Sequence, residues 1–259
     1  VRRLVALALL LTACTGGGGG TAPDDVTRDA PLGRNSWNGA RLTDDPNAVL
    51  VTFVGGAPYR SGDPCTVRYA ATATETASRV TVHVTATSPR AGGGGETACN
   101  AIGYPRAVRV RLDDPLGDRA LVDGFGRRWS VYRGPVHQPT WLPPGYRYAG
   151  EQAAPPSSWA RTFRWGEPLG PSDACIGRPS IEVVDGLARM TAPDVEVRDH
   201  PDVHGAAATF RADPTGRQAQ LEWKDGEHLV SLTTSATCTD DEPLDEATLL
   251  RVARGLNAG

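Results

Sequence analysis

The chain has 259 residues, a formal net charge of −3 and 22% charged residues. That length leaves room for one large or two ordinary domains, and the acidic balance argues against nucleic acid as a partner. Lys224 is the only lysine among the 27 basic residues, beside 30 glycines. This bias points to the codons of a high-GC genome, such as an actinobacterium's, and says nothing about activity.

The opening stretch carries an address. Arg2 and Arg3 form a positive segment, Leu4 to Leu11 an apolar one, and the small residues Thr12 and Ala13 precede Cys14. The apolar run is far shorter than the roughly 20 residues that span a bilayer, so it reads as a secretory signal. The initial Val reads as a non-standard start codon. Leu11-Thr12-Ala13-Cys14 closely resembles the lipobox of bacterial lipoproteins. The resemblance implies cleavage before Cys14, fatty acylation through a diacylglycerol on its thiol, and residence at the extracytoplasmic face of the cell membrane. Two acyl chains hold well, since each buried CH₂ contributes about 0.8 kcal/mol and one chain alone is marginal. Residues 1–13 are then the signal peptide.

Residues 14–40 include Gly16 to Gly20 and few apolar side chains. Such a segment offsets little of its ordering entropy and is expected to be a flexible tether, with Trp37 the one residue able to dock on the first domain. Residues 41–135 read as an antiparallel β-sandwich. Val49 to Val54 is a β-branched run. Cys65, Val67, Tyr69 and Ala71 share one face, as do Val80, Val82 and Val84, then Val108, Val110 and Leu112. Ala120 to Val122 and Trp129 to Tyr132 supply the last strands. Residues 136–146 hold Pro139, Pro143 and Pro144 and read as a stiff linker.

Residues 147–259 read as an α+β domain, which makes the whole chain mainly β. Strands are expected at Trp159 to Trp165, Ile181 to Val184, Val195 to Val197, Ala206 to Phe210, Gln220 to Trp223 and Leu229 to Thr233. Asp225-Gly226 marks a hairpin. Pro243 is expected to open a helix whose stripe of Ala247, Leu249, Leu250, Val252, Ala253 and Leu256 must lie on a sheet. Four stretches occur here in order: Leu142-Pro143-Pro144-Gly145-Tyr146, then Val203-x-Gly205-x-x-Ala208, Leu221-x-Trp223-x-Asp225-Gly226 and Leu249-Leu250-x-Val252-Ala253. Together they resemble an uncharacterised domain at the C-terminus of Gram-positive secreted, lipoprotein and anti-sigma-factor-associated proteins. The resemblance implies a curved antiparallel sheet packed on a terminal helix, and no catalytic residue.

Besides Cys14, the cysteines are Cys65, Cys99, Cys175 and Cys238. An even number in an exported chain reads as two disulfides. Of the three connectivities, Cys65–Cys99 with Cys175–Cys238 places one bridge on each side of a boundary near residue 138. The absence of a C-x₂-C pair argues against zinc.

Candidate chemistry is sparse. His200 and His204 with Asp199 and Asp202 have metal-ligand spacing, but Pro201 and Gly205 make them a solvated turn feeding a strand. His137 and His228 read as isolated surface residues, and His83 as polar-face. The motifs G-x-S-x-G and H-E-x-x-H are absent, and no phosphate loop or S-x-x-K forms around Lys224. No catalytic, cofactor or metal-binding residue is predicted. The expectation is a non-catalytic, membrane-anchored lipoprotein that binds an envelope partner or ligand, with sensing or regulation as one role. A carrier of lipid or a small apolar ligand, marked by a cavity between sheet and helix, is the first alternative. A hydrolase with an unrecognised site is the second.

Overall fold

A computed structural model describes residues 25–28, 37–89, 99, 103–154, 158–166, 179–186, 196–213, 217–236 and 244–258. The fold is mainly β, with several antiparallel sheets and one C-terminal helix among the described residues.

The first half is a sandwich. Its strands are β1 (Asp25–Arg28), β2 (Trp37–Leu42), β3 (Ala48–Gly55), β4 (Ala57–Pro58), β5 (Thr66–Glu75), β6 (Arg79–Pro89), β7 (Tyr104–Arg111), β8 (Ala120–Asp123) and β9 (Val131–Tyr132). One sheet runs β1-β6-β5-β4 with β8 beside β6, and the other runs β7-β3-β2-β9. The alternation of apolar and polar residues sets the inward faces. Val49, Val51 and Phe53 of β3 meet Val80, Val82 and Val84 of β6 and Val110 of β7 in one core. Phe53 and Tyr69 join the sheets edge to face at 4.8 Å, a pairing that adds to simple burial. Cys65 is bonded to Cys99, with a Cα separation of 5.2 Å. Cys14, Cys175 and Cys238 lie outside the described residues.

The sandwich differs from expectation in two respects. Its pairing is not wholly antiparallel, because β8 on β6, β9 on β2 and β4 on β5 are parallel. It also begins earlier than residue 41. β1 and the start of β2 come from the stretch expected to be a tether, β1 pairing with the Ala86–Pro89 end of β6 and β2 with β3. Backbone pairing to an open strand edge needs no apolar side chain, so composition does not reveal it.

The segment expected to be a stiff linker is also built in. Val136 and His137 are buried, and β10 (His137–Pro139) pairs with the chain's last strand. Trp141, Leu142 and Tyr146 pack on the second core. The next strands are β11 (Tyr146–Ala154), β12 (Ser158–Trp165), β13 (Ser180–Asp185), β14 (Glu196–Val203), β15 (Ala206–Ala212), β16 (Gln218–Asp225) and β17 (His228–Ser235). They form one seven-stranded antiparallel sheet ordered β11-β12-β13-β17-β16-β15-β14. β11 has no clean alternation and is interrupted by a register shift between Tyr148 and Gly150, which is why its pattern does not announce a strand. β14 runs through Pro201, in place of the expected solvated turn. It is an edge strand with a register shift between His200 and Val203, a place where proline's missing donor is tolerated.

The helix α1 (Glu246–Arg254) starts after its N-cap Asp245, whose carboxylate accepts from the Thr248 N–H at 2.8 Å. The expected start at Pro243 lies outside the described residues. Leu249, Val252, Ala253 and the following Leu256 are buried against Leu221, Trp223, Val230 and Leu232. Ala247 is exposed, so the stripe is narrower than its apolar letters suggest. After the helix, β18 (Leu256–Ala258) returns to β10.

Leu249 is fully buried at the centre of this helix–sheet contact. Leu249→Ala is expected to cost about 2–5 kcal/mol of stability. Denaturant unfolding checks this, with the half-buried Leu250→Ala costing clearly less.

Candidate functional site

The two cores meet along β11, which lies against β2, β3 and β7 of the sandwich. This junction gathers polar side chains that the sequence scatters. Gly39 of β2 allows the close approach: a Cβ there would stand 2.5 Å from the Ala153 Cβ of β11, at a backbone φ of 148°. Such an angle is open to glycine and strained for other residues.

Beside that contact is a buried carboxylate. Glu151 of β11 accepts two bonds from Arg41 of β2, Nε to Oε2 at 3.0 Å and Nη2 to Oε1 at 3.2 Å. The Trp159 indole N–H donates to the same Oε2 at 2.7 Å, and Arg161 Nε to it at 3.4 Å. Burial alone would raise the Glu151 carboxyl, but Arg41 and Trp159 outweigh it and hold the group below the usual carboxylate range. The Arg41 guanidinium also lies over the Trp159 ring at 5.6 Å, a cation–π arrangement.

His137 is the second node. Its sequence context reads as that of an isolated surface residue, yet it is 2% exposed. Its Nδ1 lies 2.6 Å from Asp185 Oδ1 and its Nε2 2.7 Å from Asp225 Oδ2, while its backbone N–H donates to Asp185 Oδ2 at 2.9 Å. Burial pushes the imidazole pKa down, and the two aspartates overcome this and raise it. A carboxylate at each nitrogen favours the protonated ring, in which both nitrogens donate. Both ring nitrogens are engaged, so the trio ties the connecting segment to the ends of β13 and β16. Asp225, expected only as a hairpin residue, therefore both turns the chain and closes this clamp.

Above these nodes the halves part into a cleft of about 640 Å³. One wall is the run Arg127 to Gly134 of the sandwich. The opposite wall includes Ala154, Ser158, Gly186 and the β16–β17 hairpin residues Glu227, His228 and Leu229. The arginine-bearing turn is set by buried Asp123, whose Oδ1 accepts from the Phe125 and Arg127 N–H groups at 2.9 and 2.8 Å. Tyr132 lines the cleft, stacks on Trp159 at 6.3 Å and donates to the Pro135 carbonyl at 2.8 Å. Burial, then the charge of Asp185, pushes its phenol up. The Ser158 hydroxyl is buried on the cleft wall with no hydrogen-bond partner among the described residues. Leaving such a group unsatisfied costs about 1–3 kcal/mol.

The expected histidine pair does not contribute here. His204 is exposed in a turn at φ 55°, its Nε2 2.9 Å from the Ala253 carbonyl, and the His200 side chain lies outside the described residues. Among the described residues no group of three or more His, Cys, Asp or Glu could hold a metal ion, and no helix is long and apolar enough to cross a membrane. His228, also expected to stand alone, lies on the cleft wall. Comparison with protein-family models, curated proteins and solved structures finds no match for the chain.

His137→Ala leaves Asp185 buried without its ring partner and is expected to cost about 3–5 kcal/mol, most of it from Asp185 because Asp225 is half exposed. The folded pKa of His137 is raised above its ordinary 6.5. Its contribution is therefore complete below that value and lost as pH rises through the raised pKa. Denaturant unfolding of parent and variant checks this: the gap between them should be wider at about pH 6 than at about pH 9.

Proposed function

We propose that the protein is a lipid-anchored, extracytoplasmic binding protein, non-catalytic, whose ligand or envelope partner engages the cleft between its two halves. The observation that supports this reading is the cleft itself, about 640 Å³ at the junction of two cores and walled by both. Ligand sites favour such junctions and fall in this range of volume. The anchor rests on the Leu11-Thr12-Ala13-Cys14 resemblance to a lipobox. The two buried clamps below the cleft hold its walls in place, so little ordering remains to be done on binding.

The carrier alternative needs a cavity between sheet and helix. Among the described residues that interface is packed with Leu221, Trp223, Leu249 and Val252, which favours the junction cleft as the binding place. The engagement of both His137 nitrogens by carboxylates likewise favours binding over hydrolysis.

Two measurements test the reading. Cys14→Ala should abolish incorporation of labelled fatty acid and release the protein from the membrane fraction; unchanged labelling refutes the anchor. A photoreactive residue at Ser130, on the cleft wall, should form a discrete adduct in the native envelope. The same residue at Thr72, exposed on the outer face of the sandwich, should not. Indistinguishable patterns from the two positions would remove the cleft from the proposal.

A further inference from the structure

We infer that the cleft takes a small ligand bearing an oxyanion, a phosphate or carboxylate compound, its charge met by Arg127, Arg128 and Arg133 and one oxygen bonded by the Ser158 hydroxyl. This rests on the reading of the cleft as the binding site and names what it would bind.

The chain as a whole is acidic, at −3, yet the run Arg127 to Gly134 that forms one cleft wall holds three arginines and no acid. A local field of the opposite sign to the whole, in a concave site, concentrates ions of that field's counter-charge. Two of the arginines are steadied at one point each. Arg127 Nε lies 3.4 Å from Asp123 Oδ2, and Arg133 Nη2 donates to the Gly117 carbonyl at 2.6 Å. A guanidinium has five N–H donors, so both retain several for a ligand. Arg128 has no side-chain hydrogen bond or ion pair among the described residues. Besides the arginines, the charged and titratable residues of the lining are Tyr132, Glu227 and His228; Asp123 beside Arg127 and Asp185, whose charge reaches Tyr132, stand behind it. Three arginines against the one carboxylate of the lining, Glu227, leave it a positive excess.

Ser158 supplies the independent observation. It is 2% exposed, its hydroxyl has no partner among the described residues, and it lines the same cleft as the arginines. A neutral hydroxyl donor beside planar guanidinium forks is the donor set that phosphate and carboxylate oxygens take up. The cleft volume suits a small molecule and not a folded partner.

The test is calorimetric titration of the full chain in detergent with inorganic phosphate, with succinate, and with glucose as a neutral hydroxylated control. Saturable binding of phosphate or succinate is expected, and the tighter of the two identifies the source of the oxyanion. Arg128→Glu and Ser158→Ala should each weaken it about tenfold or more, the loss of one charge-assisted bond, and added salt should weaken it further. Arg128 is exposed, so its variant should melt with the parent; Arg109→Gln, on an exposed arginine paired with Asp45, should bind as the parent does. Anion binding indifferent to Arg128→Glu and Ser158→Ala overturns the inference, as does no anion binding up to roughly 50 mM. Glucose binding that Ser158→Ala abolishes, without any anion response, overturns the oxyanion while leaving the cleft as the site. Ser130 adducts no different from those at Thr72 would instead remove the cleft.

Discussion

The arrangement of this protein depends on one buried carboxylate. Glu151 stands where the sandwich and the seven-stranded sheet meet, and it takes donors from both: Arg41 from one side, Trp159 and Arg161 from the other. A carboxylate removed from water costs several kcal/mol unless its oxygens are well bonded. The two halves satisfy it only in this juxtaposition, so the geometry of approach is specified far more narrowly than an apolar contact would specify it. Junctions between domains are ordinarily sites of relative motion. Here the buried charges resist it.

His137 extends the same logic through the connecting segment. A proline-flanked stretch between two cores could act as a free hinge, but its His137 ring is held by Asp185 at the end of β13 and by Asp225 at the β16–β17 turn. Thr140 then donates to the Gly255 carbonyl from both its N–H and its hydroxyl, at 2.8 and 2.7 Å. The Arg251 guanidinium covers the Trp141 ring at 3.9 Å. The connector is thereby fastened to the sheet at one end and to the helix at the other. The closing β10–β18 pair adds the chain's last strand to the same seam.

How much of this is legible in the sequence depends on the range of each signal. Val80, Val82 and Val84 alternate with polar neighbours, and that local pattern alone assigns β6 and its inward face. Asp225-Gly226 announces its hairpin in two letters, and Cys65 and Cys99 reveal themselves by chemistry and parity. The junction is not legible. His137 sits in a stretch with no period, and its ring partners are 48 and 88 residues away; Arg41 is 110 residues from Glu151. One clue is present: Ile181, Val183 and Asp185 fall on one strand face, so the pattern that buries two hydrophobes buries an acid with them. An acid carried onto a core face requires a partner, and a histidine elsewhere in the chain is a natural one.

The cleft is a consequence of these constraints and not an accident of loose packing. The Gly39–Ala153 contact sets how closely the sheets approach at β11, with no side chain on the glycine to hold them apart. The Arg41–Trp159 stack and the Tyr132–Trp159 stack fill the base with rigid planar groups. Beyond that base the walls are carried by separately fixed turns: Asp123 organises the one bearing the arginines, and Asp225, pinned by His137, ends the hairpin bearing Glu227 and His228. Both buried clamps stand beside these walls, and breaking either would leave a buried carboxylate short of its partners. On the proposed reading, a ligand entering the cleft would meet walls already tied by these contacts. Affinity in such a site is limited by how well the ligand's groups match the fixed donors, which makes the chemistry of its lining the determinant of what it binds.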